Sequence, residues 1–320
     1  MKIVILDGAT LNPGDISWEG FEALGEVTVY DKTEEADILN RSIEAEILIT
    51  NKTPLNKSVV EKLPKLKYIG ALATGYDVVD IEYARERDIP VTNVPGYGSD
   101  AVAQQVFAFI LDFANKIRIH DASVRRGQWQ EKGDFSYFLE PLMELSGKTI
   151  GIVGLGQIGQ RVAEIALAFN MKVLAYNRSK KDIFKNSTDF KWVPLEDLYK
   201  GSDFITLHLP LSKDTEGMIN LSAINKMKPE AIIINTARGK LIHEEALAEA
   251  LNESKIAGAA LDVLSSEPPS EENPLLKAKN CIITPHIAWA AKEARGRLMN
   301  IAVNNLRGYI NGQIINCVNE

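Results

Sequence analysis

The chain has 320 residues, of which 45% are hydrophobic and 25% are charged, and its formal net charge at pH 7 is −7. This length can form two α/β domains, and the composition is that of an ordinary soluble protein. The negative charge argues against nucleic acid as a partner, and the two cysteines cannot form a disulfide framework. No apolar run approaches a membrane span, and the N-terminus enters a strand without a secretory signal, so we expect a cytoplasmic protein.

The first 98 residues alternate short apolar runs with helical or loop stretches. The predicted strands are Lys2–Leu6, Val27–Tyr30, Ile47–Thr50, Tyr68–Leu72 and Pro90–Asn93. Such alternation is typical of a parallel sheet covered by helices. The sequence therefore predicts a complete, smaller α/β domain, which ends in the turn-rich stretch 93–98.

A helix capped by Ser99 or Asp100 follows, with Val102, Val106 and Phe113 on one face. We interpret it as a hinge helix between two domains, although a buried helix of a single domain has the same pattern. The next loop, Arg125–Leu145, carries more aromatic residues than a surface connection needs. Contact with a neighbouring subunit, contact with a substrate and local packing all remain open for this loop.

A strand, a glycine turn and a helix begin the second half of the chain. The apolar run Thr149–Val153 leads into Gly154-Leu155-Gly156-Gln157-Ile158-Gly159, a helical pattern follows, and Val173–Tyr176 forms the next strand. In this context Gly154 allows the tight turn, Gly156 lets the backbone approach a pyrophosphate, and Gly159 lets the helix pack closely on the sheet. The helix N-terminus favours the negative charge of the phosphates. We therefore predict a dinucleotide-binding domain.

The second strand of this unit ends in Asn177-Arg178-Ser179 instead of the acidic residue that holds the ribose hydroxyls of NAD. Without that carboxylate a 2′-phosphate is not repelled, and the Arg178 guanidinium can pair with it. The sequence therefore favours NADP(H) somewhat over NAD(H), with use of both expected. A solvated arginine beside an NAD site is the alternative.

Further strands are predicted at Phe204–Leu207, Ala231–Asn235, Ala257–Leu261 and Cys281–Thr284, before a last helix from Ala291 to about Ile310. The segments that follow three of these strands contain Arg238, Glu267 and His286. In an open α/β sheet these ends converge where ligands bind. Taken alone, each of these residues is consistent with an ordinary solvent-exposed polar side chain. Together they place a cation, a carboxylate and an imidazole at one edge, and no residue set has the spacing of a metal site.

The motifs GLGQIG, HLPL (208–211), NTARG, LDV…EP and TPHIAW together resemble the D-isomer-specific 2-hydroxyacid dehydrogenase family over essentially the full length. The N-terminal LDGATLNPGDISWEG and Trp289 are most similar to its glycerate dehydrogenase and hydroxypyruvate reductase branch. The resemblance implies two doubly wound parallel-sheet α/β domains joined by hinge helices. A flavodoxin-like substrate domain would comprise residues 1–98 and 290–320, and a Rossmann NAD(P)-binding domain would comprise residues 99–289.

The resemblance also implies a role for individual residues. Arg238 would bind the substrate carboxylate and carbonyl, His286 would donate the proton, Glu267 would be its partner, and the backbone of Thr74 and Gly75 would hold the carboxylate. Asp262 would meet the nicotinamide carboxamide. The cofactor contacts would be Gly154, Gly156, Gln157, Ile158, Gly159, Asn177, Arg178, Ser179, His208, Leu209, Pro210, Thr236, Ala237, Arg238, Asp262 and His286.

The resulting prediction is an oxidoreductase that transfers hydride between NAD(P)H and a small 2-oxo or D-2-hydroxy acid. A hydroxypyruvate or glyoxylate reductase, that is, a D-glycerate dehydrogenase, fits best, and the resemblance further implies a homodimer. One alternative is another D-2-hydroxyacid dehydrogenase, such as D-lactate dehydrogenase. Another is a dinucleotide-sensing scaffold similar to the C-terminal-binding-protein corepressors, which share the fold and the Arg238, Glu267 and His286 set.

Overall fold

The computed structural model describes residues 1–180 and 183–320. The chain forms two compact units. Unit 1 comprises Met1–Gly98 and Trp289–Glu320, and unit 2 comprises Ser99–Ala288. The chain therefore enters unit 2 at Ser99 and leaves it after Ala288. Trp289, predicted to belong to the dinucleotide-binding domain, lies in unit 1.

Unit 1 is built on a five-stranded sheet in the order β2-β1-β3-β4-β5, with parallel pairing between neighbours. This is the flavodoxin-like order. β3 and β4 are buried along their whole length, because helices cover both faces of such a sheet. The strands are β1 (Lys2–Ile5), β2 (Glu26–Val29), β3 (Ile47–Thr50), β4 (Tyr68–Ala71) and β5 (Val91–Thr92).

The helices of unit 1 are short, except for the last. They are α1 (Gly8–Leu11), α2 (Glu19–Glu22), α3 (Ile38–Ser42), α4 (Lys57–Val60), α5 (Ile81–Glu86) and α13 (Lys292–Ile310), with a 3₁₀ turn at Glu35–Asp37. Leu298 and Leu306 of α13 are fully buried in a core shared with Ile3, Ile5 and Phe21. The C-terminal helix thus covers the sheet formed by the first residues of the chain.

Unit 2 contains a seven-stranded sheet in the order β12-β11-β10-β9-β6-β7-β8, again with parallel pairing. This is the Rossmann order with one additional strand. The strands are β6 (Thr149–Val153), β7 (Lys172–Tyr176), β8 (Phe190–Trp192), β9 (Phe204–Leu207), β10 (Ile232–Asn235), β11 (Gly258–Leu261) and β12 (Cys281–Ile283). β8 was not predicted, because three residues are too few to show an alternating pattern.

Seven α-helices of the described chain belong to unit 2: α6 (Ser99–Asn115), α7 (Ile117–Arg125), α8 (Gln128–Lys132), α9 (Gln157–Ala168), α10 (Leu195–Gly201), α11 (Leu221–Ile224) and α12 (Glu244–Asn252). Two 3₁₀ turns, Gly239–Leu241 and Pro274–Lys277, complete the unit. α6 and α9 share one core through Val106, Ile110, Val162 and Ala166. The stretch 125–145, predicted as a loop, contains α8.

Together the two sheets confirm the predicted fold class of two doubly wound, parallel α/β units. No helix in the described parts of the chain has both the length and the apolarity that crossing a membrane requires.

Candidate functional site

The candidate site lies at the carboxyl edge of the unit 2 sheet. In the parallel sheet, Val153 of β6 lies opposite Leu207 of β9, and Leu207 lies opposite Asn235 of β10. Asn235 pairs with Leu261 of β11, and Leu261 with Ile283 of β12. The segments that follow these five strands therefore begin side by side. The strand order reverses between β6 and β9, and such a switch point is where open α/β sheets bind ligands.

His286 and Glu267 form a hydrogen-bonded pair. The distance from Nδ1 of His286 to Oε2 of Glu267 is 2.6 Å, and both side chains are about one-third exposed (31% and 35%). Because a carboxylate only accepts, Nδ1–H of the ring is the donor, and this fixes the tautomer. The other ring nitrogen, Nε2, is then the atom that can exchange a proton with a ligand.

The turn that carries His286 is held by Asp262. Its carboxylate accepts hydrogen bonds from the Thr284 hydroxyl (2.6 Å) and from the backbone N–H groups of Ile287 (2.9 Å) and Ala288 (2.8 Å). The backbone N–H of His286 bonds to the Asp262 carbonyl at 2.8 Å. His286 has a φ of 55°, a left-handed conformation that histidine tolerates better than most residues. Asp262 thus determines where the imidazole sits.

A second turn positions Arg238. The side chain of Asn235 is fully buried; its oxygen accepts from the Ala237 N–H (3.0 Å) and its amide donates to the Arg238 carbonyl (2.8 Å). Arg238 is half-buried, and its guanidinium donates to the Ala237 carbonyl at 2.8 Å. The guanidinium keeps further N–H groups for an anion, since it carries five.

The glycine turn after β6 is shaped by close backbone contacts. Gly154 has a φ of +97°, and a Cβ there would lie 2.6 Å from the His208 carbonyl oxygen. A Cβ on Gly159 would lie 2.2 Å from the Gly154 oxygen, whereas a Cβ on Gly156 would meet nothing within 4 Å. α9 begins at Gln157, and its N-cap, Gly156, provides no side-chain bond. The N-terminal N–H groups of α9 therefore remain available for an anion.

The segment after β7 begins with Asn177, whose side chain donates to the Ser179 carbonyl at 2.8 Å. Arg178 and Ser179 are exposed, and Arg178 has no ion-pair partner among residues 1–180 and 183–320. Within those residues, an unpaired guanidinium thus follows the strand that leads to the ribose position in this fold.

Polar groups also flank the switch point after β9 and β10. Nε2 of His208 is 2.8 Å from the Thr206 hydroxyl, and burial lowers the pKa of His208 to about 3, so the ring is neutral near pH 7. Leu209 is half-buried and Pro210 is exposed. Among the described residues, the Thr236 hydroxyl oxygen is buried and has no hydrogen-bond partner. Such an orphaned polar atom indicates a place for a ligand group.

Thr74 and Gly75 belong to unit 1, where they follow β4. The Thr74 hydroxyl donates to the Val94 carbonyl, and Asn93 donates to the Thr74 carbonyl, each at 2.8 Å. Within the described chain, the backbone N–H groups of Thr74 and Gly75 have no partner. Two adjacent free N–H groups form a suitable receptor for a carboxylate.

Comparison with known proteins decides the family. Residues 107–288 match the D-isomer specific 2-hydroxyacid dehydrogenase, NAD binding domain. A hydroxypyruvate reductase from Blautia hydrogenotrophica is 49% identical, and the alignment covers 100% of both chains. A glycerate dehydrogenase from Methylorubrum extorquens is 39% identical over 99% of this chain and 98% of that protein. The chain belongs to the D-isomer-specific 2-hydroxyacid dehydrogenase family.

A solved structure supports the same assignment. An NADPH-dependent glyoxylate/hydroxypyruvate reductase from Sinorhizobium meliloti, in complex with NADP and malonate, superposes with a TM-score of 0.83 at 26% identity. The superposition covers 99% of this chain and 96% of that one. The predicted family and the predicted NAD(P)-dependent 2-hydroxyacid dehydrogenase activity are therefore confirmed.

The residues present in unit 2 fit the cofactor of this family. Gly156 leaves open space where a Cβ would stand, the N-terminus of α9 has unsatisfied N–H groups, and the Thr236 hydroxyl is orphaned. These features suit a pyrophosphate and the polar groups of a dinucleotide. The contacts of the individual residues remain predictions, including that of Asp262 with the carboxamide. Three donors already occupy the Asp262 carboxylate, and the residue is 1% exposed.

The buried residues that hold the site together were not predicted as such from the sequence. Asp262 was interpreted as a cofactor contact, and Asn235 and Glu244 were not singled out. Glu244 is 9% exposed and accepts hydrogen bonds from Ser265, two residues before Glu267. Glu244 and Ser265 are 21 residues apart, so no local sequence pattern connects them. The one available signal was a charged residue on the otherwise apolar face of a predicted helix.

Alanine substitutions at Gly156 and Gly159 are expected to have different effects. Gly156→Ala will leave the free energy of unfolding nearly unchanged but raise the dissociation constants of NADH and NADPH by about 10-fold, because the methyl group occupies the place of the pyrophosphate. Gly159→Ala, whose Cβ collides with the Gly154 oxygen, will instead destabilise the fold. Urea denaturation and fluorescence titration with each dinucleotide measure both quantities. Unchanged cofactor affinity in Gly156→Ala would contradict the pyrophosphate position.

Proposed function

We propose that this protein reduces hydroxypyruvate and glyoxylate with NAD(P)H and, in the reverse direction, oxidises D-glycerate. The observation that carries the proposal is the His286–Glu267 pair, which lies at the same sheet edge as the Arg238 turn and the dinucleotide-type glycine turn. The names of the two similar relatives, hydroxypyruvate reductase and glycerate dehydrogenase, support this substrate class.

When bound, the nicotinamide supplies the hydride that reaches the 2-oxo carbon. The protein must then supply a proton to the carbonyl oxygen, on which negative charge develops. We assign this proton to Nε2 of His286, because Nδ1 is committed to Glu267. The Glu267 carboxylate stabilises the charged imidazolium before transfer. In oxidation the same nitrogen accepts the proton.

Arg238 has the chemistry to bind the substrate carboxylate and polarise its carbonyl, since its planar fork matches a carboxylate and its positive charge stabilises the developing oxyanion. In unit 1, the free N–H groups of Thr74 and Gly75 have the chemistry to hold a carboxylate, and that role is part of this proposal. Hydroxypyruvate and glyoxylate differ by one hydroxymethyl group, so both enter as candidate substrates.

A steady-state panel tests the function. Purified protein is mixed with NADPH or NADH and with hydroxypyruvate, glyoxylate, pyruvate or a longer 2-oxo acid, and loss of the reduced nicotinamide absorbance is followed. We expect hydroxypyruvate and glyoxylate to give the highest kcat/KM. Preference for pyruvate would indicate a D-lactate dehydrogenase, and binding of dinucleotide without turnover of any 2-oxo acid would indicate a sensing scaffold.

NADP(H) is the preferred cofactor in this proposal, because Arg178 is exposed and unpaired within the described chain and Asn177, not an acidic residue, directly follows β7. Arg178→Ala will raise KM for NADPH by about 10-fold, the loss of one charge-assisted contact, and leave KM for NADH nearly unchanged. Lys172→Ala, which removes an exposed cation at the opposite end of β7, serves as the control for net charge. Equal effects on both nicotinamides would rule out the phosphate contact.

We further propose that the protein is a cytoplasmic homodimer whose interface includes the segment 117–142. Its exposed apolar side chains include Phe135 (95% exposed) and Phe138 (71% exposed). Both nitrogens of His120 bond to the backbone around this segment, to the Lys116 carbonyl and the Leu139 N–H, which keeps the segment ordered. An ordered apolar surface of this kind marks a protein contact.

The oligomeric state can be measured directly. Sedimentation velocity will give the mass of two chains for the wild-type protein and of one chain for Phe135→Asp, because the introduced charge would have to be buried in the interface. Ile314→Asp changes a residue of unit 1 that is 41% exposed and will remain dimeric. A monomeric wild-type protein would contradict the proposal.

A further inference from the structure

A buried carboxylate, Glu244, lies beneath the segment that carries Glu267. It is the first residue of α12 and is only 9% exposed. Oε1 accepts from the backbone N–H of Ser265 at 2.7 Å, and Oε2 accepts from the Ser265 hydroxyl at 2.7 Å and from the Asn273 amide at 2.9 Å. Three donors around one ionised group form short, charge-assisted bonds and fix the Ser265 backbone.

The segment fixed by Glu244 contacts both halves of the candidate site. The N–H of Leu264 donates to Oε1 of Glu267 at 3.2 Å, and Oε2 of the same carboxylate bonds to His286. On its other side the segment packs against Gly239, the residue after Arg238. A Cβ on Gly239 would lie 1.9 Å from the carbonyl carbon of Leu264. The peptide between Leu264 and Ser265 therefore cannot move without displacing the Glu267 carboxylate or the Arg238 turn.

We propose that Glu244 is a positioning residue for the reaction, which acts through Ser265 and Leu264 to hold Glu267 against His286 and to keep the Arg238 turn in place. The inference rests on the proposed function, because it assigns the reacting groups to these three residues. Glu244 itself does not touch substrate or cofactor in this assignment. Its effect is to hold the Glu267 carboxylate in hydrogen-bonding geometry with the imidazole, and an error of about 1 Å in such a geometry can cost two orders of magnitude in rate.

The test is Glu244→Gln with Glu245→Gln as the matched control. Both changes remove one negative charge from the first turn of α12, but the Glu245 side chain is 74% exposed and binds none of these groups. A glutamine at 244 keeps one acceptor oxygen and turns an amide donor toward the Ser265 or Asn273 donors. We expect kcat for hydroxypyruvate reduction to fall by about 10-fold in Glu244→Gln, with the NADPH dissociation constant within 2-fold of wild type. Glu245→Gln will stay within about 2-fold in both quantities.

Repeating the change in a variant that lacks the Glu267 carboxylate distinguishes a positioning role from a general effect on stability. In Glu267→Gln protein the additional change Glu244→Gln will cost less than about 2-fold, because the group through which Glu244 acts is already lost. A merely structural role would cost the same factor in both backgrounds, and that result would overturn the proposal. If Glu244→Gln does not fold, Ser265→Ala takes its place. Ser265 is exposed, and this change removes the hydrogen bond from its hydroxyl to Glu244. We expect a loss of about 3-fold in kcat that also disappears in the Glu267→Gln background.

A crystal structure of Glu244→Gln gives a readout that does not depend on turnover. We expect the distance between Nδ1 of His286 and Oε2 of Glu267, 2.6 Å in the wild-type protein, to exceed hydrogen-bond range. An unchanged distance together with unchanged kcat would overturn the positioning role. Absence of hydroxypyruvate turnover in the wild-type protein, with the distance lengthened in the variant, would overturn the proposed function alone.

Discussion

Replacing His286 by alanine or asparagine will lower kcat for 2-oxo acid reduction by about 10³-fold, the contribution that a positioned general acid makes. Neither residue can supply the proton that Nε2 of the imidazole carries. The dissociation constants of NADH and NADPH will stay within a few-fold of wild type, because the glycine turn and the N-terminus of α9 are untouched. Stopped-flow or steady-state kinetics and fluorescence titration measure the two effects separately.

Comparing His286→Ala with His286→Asn separates the loss of the imidazole from a change in the backbone conformation at this position. His286 has a φ of 55°, which asparagine adopts more readily than alanine does. Equal losses in both variants will show that the imidazole is required, whereas a loss confined to alanine would indicate a displaced turn. His243→Ala is the control, because His243 caps α12 through Nδ1 and should leave kcat within about 2-fold of wild type. Full activity of either His286 variant would overturn the assignment of the proton donor.

Arg238→Gln will reduce kcat/KM for hydroxypyruvate by about 10² to 10³-fold, because it removes both the carboxylate fork and the charge that stabilises the developing oxyanion. KM should rise and kcat should fall together, since one group acts on substrate and transition state. Arg238→Lys restores the charge without the planar fork, and we expect it to recover only part of the loss.

The neighbouring cation provides the control for this experiment. Lys240 is exposed and follows Arg238 by two residues, so Lys240→Gln makes the same change in net charge on the same turn. We expect its kcat/KM to remain within about 2-fold of wild type. A comparable loss in Lys240→Gln would mean that the general electrostatic field, and not a specific contact of Arg238, attracts the substrate.

Much of the fold could be predicted from the sequence, because strong local patterns encode it. The apolar runs of β3 and β9 were placed at their observed limits, Ile47–Thr50 and Phe204–Leu207. Most other strands were placed to within a residue or two at each end. The failures include one strand and two helices. β8 has three residues, and the helices α7 and α8 follow Lys116 and Gly127, whose left-handed conformations interrupt the pattern.

The candidate site was predicted as a set of residue types at strand ends, and the structure adds the bonds that connect them. The sequence placed His286 and Glu267 at one edge, but their separation of 2.6 Å depends on the Asp262 turn and on the Ser265 segment. These are contacts between residues about 20 positions apart, which no periodicity encodes. For the same reason the three hydrogen bonds that Asp262 accepts from this turn could not be predicted, and its contact with the carboxamide remains a prediction.

The sequence by itself determined the strand–turn–helix at Gly154–Gly159, the two parallel sheets and the chemistry available at their carboxyl edges. It could do so because strand length, helical period and glycine positions are local properties of the chain. Only the tertiary structure decided which polar groups support the reacting ones, with Asp262 beneath His286, Asn235 beneath Arg238 and Glu244 beneath Glu267. The physical reason is that a buried carboxylate or amide is stable only where folding brings donors to it from distant parts of the chain.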